Sequence, residues 1–242
     1  MKNLLKFEIR KLKQTKSIYI CLVIAMLMLG LNTYLAAQFQ DSMTVQESMK
    51  GYVSSSMLIM ILGIIVPLVV CEDYTNHTLK NIIARGFSRI QVILCKYAMV
   101  VVICLLYNFV IAILSYLLGS FFFQSGNSPD YFISSMIVQI LLSLAYATIF
   151  FVVSILNTHL GVSIAINIIG PAFLSLGLSM IDLFVNINDF QFSALHLDTF
   201  IESMSQINVV SKDIVQAVCA SLVYICISLF IGIMCFKRKE IK

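Results

Sequence analysis

The stretch from Gln91 to Phe123 reads QVILCKYAMVVVICLLYNFVIAILSYLLGSFFF and holds one charged residue, Lys96, in thirty-three positions. A helix that crosses the hydrocarbon core of a bilayer needs about 20 mainly apolar residues. In lipid such a run can satisfy its backbone polar groups only within itself. It is therefore read as a transmembrane helix, and an overlong one. At about 1.5 Å per residue it reaches roughly 50 Å, against a core of about 30 Å. Lys96 is ill-suited to lipid, so the turns from Ser88 to Lys96 are expected to project into the cytoplasm. Gly86 is placed to end the preceding helix and Ser88 to cap this one.

Outward from this run lie five more of similar character: Ile18–Ala37, Tyr52–Cys71, Tyr131–Leu156, Leu160–Ile181 and Ile214–Phe236. Six spans fill nearly all of the 242 residues, of which 60% are hydrophobic and 12% charged. Soluble domains carry roughly 25% charged residues. The chain is read as one all-α integral membrane domain, residues 1–242, with no room for a soluble catalytic domain. Strict alternation, the mark of an outer-membrane strand, is missing. The first run is longer than the 7–15 apolar residues of a signal peptide, so it is expected to be an uncleaved span.

Charge sets the orientation. Lys2, Lys6, Arg10, Lys11, Lys13 and Lys16 precede the first span. Lys80, Arg85, Arg89 and Lys96 follow the second, and Lys237, Arg238, Lys239 and Lys242 end the chain. These are fourteen of the sixteen basic residues, leaving only Lys50 and Lys212 on the other side. Basic flanks stay in the cytoplasm, so both termini are expected there, in a multi-pass protein of the cell membrane. The net charge of +4 follows the spans and forms no separate basic module, which argues for lipid and against nucleic acid.

Three polar segments stand out. Residues 1–17 form a basic amphipathic helix suited to an anionic leaflet. Leu4, Leu5, Ile9 and Leu12 fall on one side and Lys2, Lys6, Arg10 and Lys13 on the other, while Glu8 breaks the apolar arc. Either Glu8 snorkels to water from a simple anchor, or the helix also touches a cytoplasmic partner. The connection 72–90 contains Leu79, Ile82 and Ile83 at helical spacing, with Asp73 or Asn76 to cap the start and Gly86 to stop it. This short helix either packs on the membrane domain or docks into another protein. The connection 182–213 is long for a bare loop and greasy, with Phe184, Phe190, Phe192, Leu197, Ile201 and Met204. Short re-entrant or lid helices are expected between spans five and six, with Asp198 as an N-cap.

Chemistry is sparse. His77, His159 and His196 fall in three different connections, and no zinc-protease, nucleophile-elbow or phosphate-loop motif occurs. No catalytic, cofactor or metal site is expected. The seven cysteines, Cys21, Cys71, Cys95, Cys104, Cys219, Cys226 and Cys235, lie in or beside apolar runs and read as free thiols. No span carries an Asp, Glu, His or Arg at mid-depth, which disfavours an ion-driven carrier. Asn108, Gln139, Asn167 and Tyr224 are milder polar groups, suited to bonds between helices or to a weakly polar substrate path. Pro67 and Pro171 are placed to kink spans two and five, and Gly161, Gly170 and Gly177 to permit close helix approach or bending.

One pattern is more specific. Glu72 ends span two; Thr78, Leu79 and Lys80 follow, then Ile82 and Ile83, Gly86, and Ser88-Arg89 opening span three, with Lys96 beyond. With Glu8-x-x-Lys11 at the start, this layout resembles the membrane subunits of type-two ABC exporters, especially bacitracin- and lantibiotic-type permeases of Gram-positive bacteria. The resemblance covers the whole chain in layout. It departs from the family's pattern at His77, where a glycine usually stands.

The resemblance implies a permease subunit that pairs with a second copy or paralogue. It would bind a separate cytoplasmic ATPase through a coupling helix from about Asn76 to Ala84. ATP and Mg would reside on that partner. Glu8, Lys11, Glu72, Asn76, His77, Thr78, Leu79, Lys80, Ile82, Ile83, Arg85 and Arg89 would form the coupling interface. The cargo implied is an amphipathic or antimicrobial peptide, or another hydrophobic compound. The competing reading is a non-transporting membrane sensor, immunity or scaffold protein that docks a cytoplasmic partner.

Overall fold

The computed structural model describes residues 2–39, 44–53, 56–75, 78, 82, 84, 86–124, 126, 131–157, 159–185, 192–206 and 209–238. In chain order these contain α1 (Lys2–Gln14), α2 (Lys16–Phe39), α3 (Val45–Val53), α4 (Ser56–Thr75), α5 (Arg89–Phe122), α6 (Phe132–Leu156) and α7 (Leu160–Val185). A 3₁₀ turn (Phe192–Leu195), α8 (Leu197–Ser205) and α9 (Ser211–Arg238) follow. Six of them, α2, α4, α5, α6, α7 and α9, are long and apolar enough to cross a membrane. No strand forms among the described residues; a single bridge joins Thr44 and Gln124.

The spans fall where hydropathy puts them, with one correction. Span two was expected from Tyr52, but that residue belongs to the separate short helix α3, and α4 starts at Ser56. Local side chains explain the start of α3. The Thr44 hydroxyl accepts from the Glu47 N–H (3.4 Å) and the Glu47 carboxylate accepts from the Thr44 N–H (3.0 Å), a reciprocal cap. The same device opens α5 between Ser88 and Gln91. Gly86 precedes it at φ +89°, a backbone conformation that glycine adopts without steric cost.

α4 and α6 form the centre: 67% and 61% of their apolar stretches are buried, against 6% for α7 and 11% for α9. Leu62, Ile65 and Val70 of α4 and Leu142, Phe150 and Phe151 of α6 are almost wholly enclosed. Around this pair, α9 lies on α6, α7 on α4, and α5 on α6, while α2 covers α5 and α4. The outward faces remain apolar, with Phe173, Leu183 and Phe230 exposed, as suits lipid.

Lipid offers no hydrophobic drive to bring helices together, so close packing and polar contacts must do it. Asn108 of α5 donates to the Ser143 hydroxyl of α6 (2.9 Å), and the Tyr107 hydroxyl donates to the Ile18 carbonyl of α2 (2.5 Å). The close approaches are not at the expected glycines. A Cβ on Gly161 or Gly177 would meet nothing within 4 Å, and one on Gly170 only Ile166 at 4.0 Å. All three lie on the peripheral α7. The tight places are Gly119 of α5, where a Cβ would come within 2.8 Å of the Ser48 hydroxyl of α3, and Gly126, where one would come within 2.5 Å of Thr44 Cγ2.

At the end of the bundle remote from α1, α3 and α8 form a lid. Leu197, Ile201 and Met204 turn into the core. Gln139 of α6 donates to the Met204 carbonyl (3.1 Å), and the Tyr146 hydroxyl donates to the Asp198 carboxylate (2.5 Å). Asp182 accepts from the Phe192 and Ser193 N–H groups (2.6 and 2.8 Å). Lys50 of α3 is fully buried, and its ammonium donates to the Gln206 carbonyl just past α8 (3.0 Å). Burial lowers its pKa below the usual lysine value. The expected lid is therefore present, but its cap is His196, whose Nδ1 accepts from the Asp198 N–H (3.3 Å). Asp198 lies in the first turn and has Tyr146 for a partner instead. Residues 186–191, with Ile187 and Phe190, lie outside the described residues.

Candidate functional site

At the basic end, three elements meet over a cluster of buried charge. α1 brings Glu8 and Lys11, the last turn of α4 brings Glu72 and Asp73, and the second turn of α5 brings Lys96. Lys96 faces Asp73 Oδ2 and, at 3.7 Å, Glu8 Oε1. Lys11 faces Asp73 Oδ1 and, at 3.3 Å, Glu72 Oε2. The Thr78 hydroxyl donates to Asp73 Oδ1 at 2.6 Å and contacts the Asp73 carbonyl at 3.3 Å.

The arrangement is graded by depth. The side chains of Asp73, Glu8 and Lys96 are 0%, 3% and 4% exposed, whereas Lys11 is 20% and Glu72 37% exposed. The innermost three groups carry one positive and two negative formal charges, and Lys11 closes that deficit from the rim. Buried ions are costly unless paired on several sides. Asp73 meets this condition, accepting from two ammonium groups and a hydroxyl. Salt screens such enclosed contacts weakly.

An apolar seam continues the cluster. Leu4 of α1, Ile82 of the connection, and Val92 and Cys95 of α5 are buried together, with Leu5, Tyr74 and Phe87 around them. Arg89 donates to the Lys237 carbonyl (3.0 Å), tying the start of α5 to the last turn of α9. A cation there is favoured by the helix C-terminus.

Several expectations change here. Glu8 does not snorkel to water; it is buried against Lys96. The buried stripe of α1 is Leu4 and Glu8, with Lys11 at its edge. Lys96 does not project into water but is enclosed by protein. Asp73, one of the two expected caps of the connection's helix, belongs to α4 and holds both lysines, and Asn76, the other, lies outside the described residues. Each revision has one cause. Opposite charges on neighbouring helices neutralise each other more fully than interfacial water could.

Of the expected coupling residues, Glu8, Lys11, Glu72 and Thr78 thus meet at one place, Ile82 packs beside them, and Arg89 points to α9. Asn76, His77, Leu79, Lys80, Ile83 and Arg85 lie outside the described residues. Asp73 and Lys96 are the members the sequence reading left out of the site. The signal for them was a lone lysine in one apolar run and a carboxylate ending another.

The expected substrate-path residues do not converge. Asn108 bonds within the α5–α6 contact, and Gln139 bonds to the lid. Asn167 and Tyr224 do share a cavity, between α6, α7 and α9. Among the described residues no group of three or more His, Cys, Asp or Glu side chains is placed to hold a metal.

No curated protein matches the chain. The family described as ABC-2 family transporter protein matches residues 4–174, a segment that runs from α1 through the charge cluster to the middle of α7. That is more than half of the 242 residues. Its members are membrane permeases that work with an ABC ATPase and carry no catalytic site. Six candidate spans, with basic helices gathered at one end, fit that description, and the chain belongs to the ABC-2 transporter family as a membrane permease subunit.

Proposed function

We propose that this permease exports amphipathic or antimicrobial peptides, or other hydrophobic compounds, as the bacitracin- and lantibiotic-type members do. The whole chain, residues 1–242, acts as one membrane domain. The basic end faces the cytoplasm, as the positive-inside rule favours, and both termini lie there. Two permease copies, or this chain and a paralogue, bind two ATPase subunits that hold ATP and Mg.

The single observation that carries the reading is the buried cluster of Glu8, Lys11, Asp73 and Lys96. It ties the N-terminal helix, span two and span three together directly beneath the connection. The coupling segment, Asn76 to Ala84, lies between Asp73 and Lys96 in sequence, and Thr78 and Ile82 anchor it at the cluster. A push on Leu79, Lys80, Ile83 or Arg85 by a closing ATPase would reach three helices at once. The energetic reason is that the cluster resists shear: separating any member strands a buried charge.

The test is co-purification of tagged permease from its native host, with wild type compared to Leu79→Asp and Lys80→Glu. Wild type should bring down a soluble ATPase at one copy per permease. Both variants should lose that partner, or lose permease-stimulated hydrolysis, while eluting as folded protein. Retained binding together with full stimulation in both would remove the coupling assignment. An ATPase that binds wild type but never responds to any exported compound would favour the sensor reading.

A further inference from the structure

The last turn of α4 is gripped on two sides. At about 100° per residue, Cys71 and Asp73 point about 200° apart around the helix. Asp73 faces α1 and α5, and Cys71 faces the turn that joins α6 to α7. A helix C-terminus leaves its last carbonyls without intrahelical donors. At the end of α6 the Cys71 thiol lies 3.5 Å from the Ser154 carbonyl and 3.6 Å from the Asn157 carbonyl. It also lies 3.5 Å from the Ser163 hydroxyl of α7, which itself donates to the Asn157 carbonyl at 3.3 Å. Cys71, Ser154 and Ser163 are fully buried. The contact therefore closes α4, α6 and α7 on one another away from bulk water.

The seating of α7 gives this contact its weight. Only 6% of the apolar stretch of α7 is buried, the least of the six spans. Of its described side chains two are buried, Ser163 and Asn167, about one helical turn apart. Both bond to α4: Ser163 at Cys71, and Asn167 through Nδ2 to the Gly63 carbonyl (3.4 Å). Past Pro171 the helix turns Phe173, Leu174 and Leu176 outward. At its far end Asp182 holds the 3₁₀ turn, so α7 runs from the basic end of α4 to the lid. Lipid does not press helices together, so polar contacts decide which neighbour a sparsely buried helix follows. For α7 that neighbour is α4.

We propose that Cys71 is a positioning residue for coupling: with Ser163 and the Asn157 carbonyl, it makes the α6–α7 turn and α7 move with the last turn of α4. This role rests on the coupling proposed for the ionic cluster and supplies the route by which motion there reaches α7. A pull on Asp73 turns the end of α4, and the opposite face of that turn carries α7 with it. A serine keeps the route, because its hydroxyl donates to the same carbonyls. An alanine leaves them without that donor.

The test is hydrogen exchange, read by mass spectrometry, on the co-purified permease–ATPase complex in lipid nanodiscs, with and without ATP and orthovanadate. In wild type, nucleotide trapping should change exchange at the end of α4 and in residues 157–163 together. Cys71→Ala should raise resting exchange in 157–163 about fivefold, for one lost hydrogen bond. It should also erase the response to trapping there while α4 still responds. Cys71→Ser should keep that response. A wild-type response at α4 with none at 157–163 would overturn the proposal and leave the coupling reading standing. So would a full response at 157–163 in Cys71→Ala. No wild-type response at α1 or α4 would instead remove the coupling reading, and this role with it. The wild-type comparison stands even if the alanine variant misfolds.

Discussion

Each end of the bundle buries a lysine, and the two are held differently. At the basic end Lys96 faces two carboxylates, Asp73 and Glu8, on two other helices. At the lid Lys50 faces a backbone carbonyl beyond the last turn of α8. The first is ion against ion, and a lost partner leaves a stranded charge. The second is ion against dipole, and losing the lysine leaves only a neutral carbonyl. The other lid contacts also use hydroxyls, amides and N–H groups. On the proposed coupling role, the basic end would transmit force without yielding and the lid would be released. An ATP-driven permease needs both properties, at opposite ends.

The largest effect should come from breaking the ionic end. Asp73→Ala should lower the stability of the purified chain by about 3–5 kcal/mol, read as a fall in thermal midpoint. Lys96→Met should cost a similar amount, and the double variant much less than the sum, because their partner charges vanish together. Additive losses would mean that the two side chains do not interact.

Met204→Ala should come next, at about 2–4 kcal/mol, since Met204 is fully enclosed under the lid. It should also raise protease sensitivity in α8 first, which limited digestion would reveal. Smaller again is Tyr146→Phe, which removes one hydrogen bond to a carboxylate at about 1.5–3 kcal/mol. Its effect should appear as faster amide exchange in α8 and not in α1.

Lys50→Met should cost least, about 1 kcal/mol, because the lost hydrogen bond is offset by relief of a buried charge. Its pH dependence sharpens the contrast. Burial lowers the pKa of Lys50 in the folded state, so the unfolded chain binds more protons as pH rises toward the ordinary lysine value. Stability must increase with pH across that window and level off above it. The wild-type chain should gain on Lys50→Met as the solution becomes alkaline. A parallel pair of pH curves would show that Lys50 is not desolvated.

These contrasts also explain what the sequence could disclose. Spans and caps are local. Hydropathy locates α2, α4, α5, α6, α7 and α9, and Gly86 with Ser88 marks the start of α5, because each signal lies within a few residues of its effect. The ionic cluster is not local: Glu8, Asp73 and Lys96 sit far apart in the chain. Each was legible as an oddity, a carboxylate in an apolar arc, an acid ending a span and a lysine within one. Taken singly, each has a plain solution involving water. Taken together, opposite charges in apolar settings at one end of a bundle call for pairing, and that joint reading would have found the site. Helix α3 was missed for another reason. Its sequence, VQESMKGYV, is too polar for a span and merges into the next apolar run, so only the Thr44–Glu47 cap and the Gly119 contact reveal it. Asp198 misled because two polar side chains compete for one helix start. His196 took the cap, and tertiary contact with Tyr146 claimed the carboxylate.

The central claim is that the buried cluster carries force between an ATPase partner and the membrane helices. It is tested most directly by ATP hydrolysis of the co-purified complex with Glu8→Gln, a variant that keeps the shape and removes one buried charge. The account predicts that the ATPase still binds at wild-type stoichiometry and that permease-dependent stimulation falls at least severalfold. Full stimulation in a complex with normal stoichiometry and an unchanged thermal midpoint would contradict it.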